Sequence, residues 1–161
     1  MSESDDNKAL PQRVFREILN EGRLELADKI VAPNFLLHTP TRPEAFEGPD
    51  GFKQFVTDLR RGFPDLKITI EQVIGDGDFV SIRSQVAGTH LGIYRGIPPT
   101  GRRIAQLQQH MFHIVDGQIN ETWHAIDGLG VMQQLGIFPR SNPPTWLLRP
   151  VVRLQKLARR G

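Results

Sequence analysis

The spacing of apolar residues changes near residue 65, and this change restricts the folds open to the chain. Apolar residues first recur at helical intervals, which predicts helices at about residues 10–20, 24–31 and 49–63. Apolar and polar residues then alternate, which predicts strands at about residues 66–74, 79–90, 103–115 and 118–127. The segment "NFLLHTP" adds a short strand that ends at His38, and helical spacing returns after Asp127.

Glycine-containing turns connect the alternating segments in pairs. Gly75-Asp76-Gly77-Asp78 separates the first two strands, and Asp116-Gly117 separates the last two. Short turns of this composition are typical of β-hairpins. Two successive hairpins behind a run of helices predict an α+β domain, in which the helices pack on one face of a curved antiparallel sheet.

Length and composition fit one folded domain. The chain has 161 residues, of which 39% are apolar and none is cysteine, so it can form a single core and contains no disulfide. The N-terminal "MSESDDNK" is acidic and lacks the basic and apolar regions of a secretory signal. We therefore expect residues 1–9 to be disordered, residues 10–139 to form the domain, and the protein to be cytoplasmic.

Basic charge is concentrated at the C-terminus. Residues 140–161 contain six Lys or Arg and no acid, whereas residues 1–139 carry 14 basic and 18 acidic side chains. The mildly acidic body gives no support to nucleic-acid binding. The tail predicts an amphipathic basic helix after a proline spacer, which packs on its own domain or on a second subunit, or alternatively contacts a membrane surface.

Side-chain alternation in the last hairpin predicts a ligand pocket. If Asp116-Gly117 is a two-residue turn, one face of the hairpin collects Gln106, Gln108, His110, Phe112, Glu121, Trp123 and Asp127. A small-molecule cavity needs apolar walls and a few convergent polar groups, and this face offers both.

Asp127 has two interpretations. It precedes a glycine and a helix, so it suits the N-cap position of that helix. Enclosed by Trp123 and Phe112, its carboxylate would instead be desolvated and more basic, and thus able to take a proton from a carbon acid.

The other polar candidates do not indicate a metal or a nucleotide. No zinc spacing is matched by the three strand histidines, His38, His90 and His110. There is no glycine-rich phosphate loop followed by a helix. Arg83 interrupts an apolar strand, which indicates either an anionic ligand or an ion pair with Glu71 or Glu121.

Two motifs follow one another along the second half of the chain. They are "GTHLGIYRGIPPTGRRI" at residues 88–104 and "FHIVDGQINETWHAIDGLGVMQQLG" at residues 112–136. Their order and spacing resemble the SnoaL-like polyketide cyclase family, also called ester cyclases, of the nuclear transport factor 2-like superfamily. The likeness covers about residues 10–138.

The resemblance implies a cone-shaped α+β fold around a deep pocket, assembled as a homodimer or homotetramer. It also implies an intramolecular aldol condensation that closes a polyketide ring without a cofactor, with one aspartate as the base. The place of that aspartate after the tryptophan of the last strand corresponds to Asp127, and the pocket histidine near the end of the first strand corresponds to His38. The loop at residues 88–104 is then expected at the mouth of the cone, where it presents His90 and Tyr94 to a ligand.

The chain departs from the usual family pattern at two positions. Members often have Glu-His-Trp where this chain has Glu121-Thr122-Trp123, and an aspartate where it has His124. Residues 122 and 124 are expected to face away from the pocket. We therefore expect both differences to spare the chemistry.

These observations lead to one hypothesis and two alternatives. The hypothesis is a cofactor-free cyclase acting on a flat, apolar, oxygenated, polyketide-like molecule. Asp127 is its base, and the carbonyl that becomes an enolate is polarised by His110, His90, Gln108 or Arg83. The alternatives are another reaction on the same scaffold (epoxide hydrolase, isomerase, hydratase or hydroxylase) and a non-catalytic binding or assembly protein. The expected substrate-binding residues are His38, Arg83, His90, Tyr94, Gln106, Gln108, Phe112 and Trp123.

Overall fold

The computed structural model describes residues 3–139, in which helices cover one face of a curved sheet. The helices are α1 (Glu3–Arg13), α2 (Ala27–Ile30), α3 (Gly48–Gly62) and α4 (Gly128–Gln134). A π-helical segment (Val14–Asn20) continues α1, and a 3₁₀ turn (Leu24–Leu26) precedes α2. All three helical regions expected before residue 65 are therefore present, the second one as two short turns.

The first helix begins earlier than the composition suggests. Residues 3–9 belong to α1, although they were expected to be disordered. The reason is tertiary contact: Asn7 Nδ2 donates a hydrogen bond to the carbonyl oxygen of Gly77 (3.2 Å), and Leu10 packs against the core. Packing of this kind routinely outweighs the local preference of a polar segment.

Six strands form one sheet in the order β2-β1-β6-β5-β4-β3. They are β1 (Val31–His38), β2 (Phe46–Glu47), β3 (Lys67–Asp76), β4 (Phe79–Thr89), β5 (Arg103–Val115) and β6 (Gln118–Ile126). The two hairpins are confirmed, as is the α+β class. The sheet is mixed rather than wholly antiparallel, because β1 runs parallel to β6. Parallel neighbours need a long connection, and here residues 39–117 lie between them.

The core lies between the helices and the inner face of the sheet. On β4 the alternate residues Val80, Ile82 and Val86 are buried. Phe15 on the π-helical segment and Val56 on α3 meet them from the other side in one apolar cluster. This alternation of buried and exposed residues is what the sequence pattern predicted for a sheet with one covered face.

A β-bulge in the last hairpin changes which residues of β6 face inward. Asp116 (φ 50°) and Gly117 (φ 71°) form the expected two-residue turn, whose type needs positive φ at both positions. Ile114 pairs with Ile119 as expected, but His113 then pairs with Glu121, so Asn120 is an extra residue on β6. A shift of one residue moves every following side chain to the opposite face.

The predicted basic helix at residues 140–161, with its packing or membrane contact, lies outside the described residues. Within residues 3–139 no helix is both long and apolar enough to span a bilayer. The expected cytoplasmic location and the homodimer or homotetramer stay predictions.

Candidate active site

A pocket opens between the inner face of the sheet and the helices. Its volume is about 780 Å³, including the solvent at its mouth. Its walls are mainly apolar, and α4 contributes Val131 and Met132 while α3 contributes Phe55 and Leu59. The polar groups that line it are Thr39, Thr41, Tyr94, Arg95, Gln106, Gln108, His110 and His124. Among the described residues, no carboxylate lines this pocket.

One strand supplies a row of polar side chains along the pocket. Gln106, Gln108 and His110 alternate on the inner face of β5, as the sequence predicted. The buried atoms Gln106 Oε1 and His110 Nε2 have no hydrogen-bond partner among the described residues. An unsatisfied buried polar atom costs about 1–3 kcal/mol. A ligand group that supplied a partner to either atom would recover that free energy.

His110 and His124 form a stacked pair on β5 and β6. Their ring centroids lie 4.2 Å apart with the ring planes 13° from parallel, and the two residues are directly paired across the strands. Burial, together with the neighbouring His124, holds the pKa of His110 well below its usual range. Burial, together with the charge of Arg95, lowers the pKa of His124 to about 4. Both rings are therefore neutral at pH 7.

A hydrogen bond fixes the tautomer of His124. Its Nε2 lies 3.1 Å from Gln108 Oε1, which is an acceptor, so Nε2 carries the proton. The other ring nitrogen, Nδ1, is left with the basic lone pair. Gln108 thus acts by orienting His124 as well as by lining the pocket.

A second, smaller hollow lies behind the histidine pair. Its walls are apolar apart from His110, His124 and Thr122, and it contains Phe112 and Phe15. Phe112 was expected in the ligand pocket, but it lies in this inner hollow, where its ring meets that of Phe15 edge to face at 6.0 Å. Its ring also stacks on that of His110, with the ring centroids 6.0 Å apart.

The predicted pocket position of Asp127 is wrong. The bulge at Asn120 turns its side chain away from the pocket, and the residue is exposed. Its Oδ1 accepts a hydrogen bond from the backbone N–H of Gly130 (2.8 Å), so it caps the N-terminus of α4. The N-cap interpretation of the sequence is therefore confirmed.

Loss of this cap has a measurable cost. Asp127→Ala is expected to lower the free energy of unfolding by about 1 kcal/mol, because the Gly130 N–H loses its acceptor. Asp127→Asn keeps a capping oxygen and is expected to change stability little. Denaturant unfolding of the two variants checks this, and equal stability of both variants would contradict it.

The bulge also reverses the other predicted placements on β6. Trp123 and Glu121 lie on the outer face of the sheet with His38, whose Nε2 is 2.7 Å from Glu121 Oε1. The rings of His38 and Trp123 stack there at 5.8 Å. His38 and Trp123 therefore do not line the pocket, whereas Thr122 and His124, which were expected to face outward, lie on its inner side. The two departures from the family pattern thus fall at the site itself.

Arg83 forms an ion pair rather than a ligand contact. Its Nη2 and Nε both lie 2.8 Å from Glu71 Oε2 on the neighbouring strand β3. The ion pair with Glu71 was one of the expected alternatives, but the residue is exposed on the outer face rather than buried. Arg83 therefore does not line the pocket.

The loop at residues 90–101 borders the pocket as predicted, but only one of its two expected residues lines it. Tyr94 lines the pocket. His90 does not: it is fully buried, and its Nδ1 accepts a hydrogen bond from the backbone N–H of Thr100 (3.2 Å). His90 therefore holds the two ends of the loop together, and burial lowers its pKa. The polar lining residues that sequence reasoning missed are Thr39, Thr41, Arg95 and His124.

Within the described residues, no cluster of His, Cys, Asp or Glu is arranged to hold a metal ion. The polar groups that line the pocket are two neutral imidazoles, two amides, two threonine hydroxyls, a phenol and one guanidinium.

Comparison with known proteins shows to which family the chain belongs. Residues 9–135 match the sequence model of the SnoaL-like polyketide cyclase family. The chain is 34% identical over 120 residues to aklanonic acid methyl ester cyclase DauD of Streptomyces sp. (strain C5), covering 70% of this chain and 73% of that protein. It is 32% identical over 119 residues to nogalonic acid methyl ester cyclase of Streptomyces nogalater, covering 73% and 88%.

A solved structure gives the same result for the fold. A SnoaL-like polyketide cyclase from Jannaschia sp. CCS1 superposes with a TM-score of 0.79 at 27% identity, covering 86% of this chain and 98% of that one. Fold and site together define a cyclase of the nuclear transport factor 2-like type. The chain belongs to the SnoaL-like polyketide cyclase family, which confirms the resemblance seen in its motifs.

Proposed function

We propose that the protein closes a ring in a polyketide-like substrate by an intramolecular aldol reaction that needs no cofactor, with His124 as the base. The observation that carries the proposal is the stacked pair of neutral histidines in an apolar pocket whose described lining contains no carboxylate. The substrate class is supported by the relatives, whose names describe methyl ester cyclases of aklanonic and nogalonic acid.

Neutral imidazole can replace a carboxylate as the base. With its pKa lowered to about 4, His124 has the basicity of an ordinary aspartate and stays unprotonated at neutral pH. Its Nδ1 takes a proton from the carbon next to a substrate carbonyl, which gives an enolate and an imidazolium ion. The positive charge then lies beside the enolate that it helped to form, and this pairing stabilises both ions where water is excluded.

His110 serves as the hydrogen-bond donor to the enolate. Its buried Nε2 has no partner within the part of the chain that the structure describes, so a proton on this nitrogen can be donated to the oxygen that becomes negative. The enolate carbon then attacks a second carbonyl of the same molecule. A carbon–carbon bond forms, the carbonyl becomes an alkoxide, and the alkoxide takes the proton from the imidazolium of His124. The product is an isomer of the substrate, so no co-reactant is required.

The direct test is turnover of a relative's substrate. Aklanonic acid methyl ester, incubated with the purified protein after dialysis against a chelator, is expected to give a cyclised product of the same mass, separated by chromatography. Binding without conversion of this ester and of nogalonic acid methyl ester would favour the non-catalytic alternative.

The same assay gives a pH profile with a defined sign. The base is active when unprotonated, so turnover is expected to be constant from pH 8 to about pH 5 and to fall at lower pH, with a midpoint near the pKa of about 4. An ordinary histidine would give a midpoint near pH 6.5. A midpoint there, with the fold intact by circular dichroism, would contradict the role given to His124.

A further inference from the structure

Another hollow, distinct from the one behind the histidine pair, adjoins the mouth of the pocket and is lined by four charged side chains. We call it the vestibule; its volume is about 850 Å³, including open solvent. Phe55, Tyr94 and Arg95 line both the vestibule and the pocket, so a ligand can extend from one into the other. The remaining lining residues are Arg42, Phe46, Asp58, Arg61, Ile93 and Gly96.

Charge in the vestibule is strongly unbalanced. Three guanidinium groups face one carboxylate, and that carboxylate, Asp58, is 3.6 Å from Arg61 on the same helix. Within residues 7–139, neither Arg42 nor Arg95 lies within salt-bridge distance of a carboxylate. Two cations are therefore left for a partner that the described chain does not supply.

Both of these arginines lie over aromatic rings. The guanidinium of Arg42 is 4.3 Å from the centroid of Phe46, and that of Arg95 is 5.3 Å from the centroid of Tyr94. Arg95 Nη1 also donates to the carbonyl oxygen of Thr41 (3.2 Å). These contacts restrict the two side chains before any ligand binds, which reduces the entropy lost when a ligand pairs with them.

Arg95 occupies a backbone position that disfavours it. Tyr94 and Ile97 exchange two backbone hydrogen bonds (3.1 and 2.9 Å) around the turn Arg95-Gly96, and both turn residues have positive φ (53° and 76°). Glycine, asparagine or aspartate is preferred at the first of these positions, and a long side chain there is uncommon. A strained residue that is also a charged lining residue of the site indicates a function for its charge.

We propose that the vestibule binds an oxyanion, a carboxylate or a phosphate, on the part of the substrate that stays outside the pocket. This inference rests on the proposed function, because it assigns the substrate's second recognition element. It also separates this chain from the relatives named above, whose substrates are described as methyl esters. A free acid would meet the guanidinium groups of Arg42 and Arg95, which match the planar geometry of a carboxylate.

Binding of an anion here is coupled to the base. The charge of Arg95 contributes to lowering the pKa of His124, so an anion that neutralises Arg95 makes His124 more basic. Recognition of the correct substrate thereby increases the strength of the base at the moment when it is needed.

The test compares the binding of aklanonic acid with that of its methyl ester. Dissociation constants are measured by rapid mixing, from the ligand's absorbance before any conversion. The wild-type protein is expected to bind the acid roughly tenfold more tightly than the ester in 50 mM salt, and the preference is expected to shrink in 0.5 M salt, because exposed charges are screened. Added 4′-phosphopantetheine tests the other source of the oxyanion and is expected to compete with the acid if the site accepts phosphate.

Variants assign the preference to the vestibule. R42Q/R95Q is expected to bind acid and ester within about twofold of each other, while R42K/R95K keeps part of the preference because its charge remains. R83Q, on the outer face, serves as the matched control and is expected to keep the full preference, with thermal unfolding confirming the fold of each variant. Equal binding of acid and ester by the wild-type protein, or a preference that survives R42Q/R95Q, would overturn the proposal. The dissociation constants of the acid and the ester do not depend on turnover, so failure of the proposed reaction would be recognised separately.

Discussion

Replacing His124 with glutamine is expected to lower the turnover of ring closure by roughly 10²- to 10⁴-fold, the usual contribution of a general base. Glutamine keeps a polar side chain of similar size that can still bond to Gln108, so the pocket is expected to keep its shape. The basic nitrogen is lost, and KM is expected to change much less than kcat. Steady-state kinetics with aklanonic acid methyl ester measures both quantities.

Two further variants separate the loss of the base from damage to the pocket. His124→Asp introduces the residue that members of the family often have at this position, and it is expected to recover at least roughly tenfold of the activity lost in His124→Gln. Asp127→Asn, which changes only the exposed cap of α4, is expected to keep the wild-type rate. Wild-type turnover in His124→Gln, or its loss in Asp127→Asn, would return the role of base to Asp127.

The substitution Gly92→Ala is expected to have the largest effect on the loop that borders the pocket. The backbone N–H groups of Leu91 and Gly92 both donate to the carbonyl oxygen of Gly62 (3.0 and 3.2 Å), so the loop lies directly on the end of α3. A Cβ at position 92 would collide with the carbonyl oxygen of Arg61. Because that oxygen belongs to the backbone, the loop itself has to move.

The expected cost of that movement is about 2 kcal/mol from overpacking and from the two weakened hydrogen bonds. For a domain of this size the Tm is expected to fall by roughly 4–8 °C. Tyr94 and Arg95 move with the loop, so KM is expected to rise as well. Calorimetry and kinetics check the two effects.

Gly128→Ala provides the matched control for this substitution. A Cβ at position 128, the first residue of α4, meets no atom within 4 Å. Its Tm and KM are expected to stay at the wild-type values. If Gly92→Ala also left Tm and KM unchanged, the close approach of the loop to α3 would not be what positions the residues at the mouth of the pocket.

Local patterns in the sequence were sufficient for much of the fold. Alternation of apolar and polar residues placed β3, β4, β5 and β6, because each strand has one covered face. The turn at Asp116-Gly117 followed from residue types that tolerate positive φ. The capping role of Asp127 was also readable, since a capping side chain bonds to a backbone N–H only three residues away.

Contacts between distant segments could not be predicted from these local patterns. The helix at residues 3–9 depends on a partner some 70 residues away in the β3–β4 turn, so the polar composition of these residues misled the prediction. The strand β2, two residues long, has no pattern to recognise. The approach of α3 to the loop of Gly92 likewise joins segments that no local signal connects.

Part of the active site could be predicted from the sequence, and the rest was determined only by the tertiary structure. The sequence by itself determined the pocket face of β5, with Gln106, Gln108 and His110, because alternation is preserved up to the turn. Only the tertiary structure decided the face of β6, because the extra residue Asn120 shifts the pairing by one position. A shift of one residue reverses every side chain beyond it, and this exchanged Asp127 and Trp123 for His124 and Thr122.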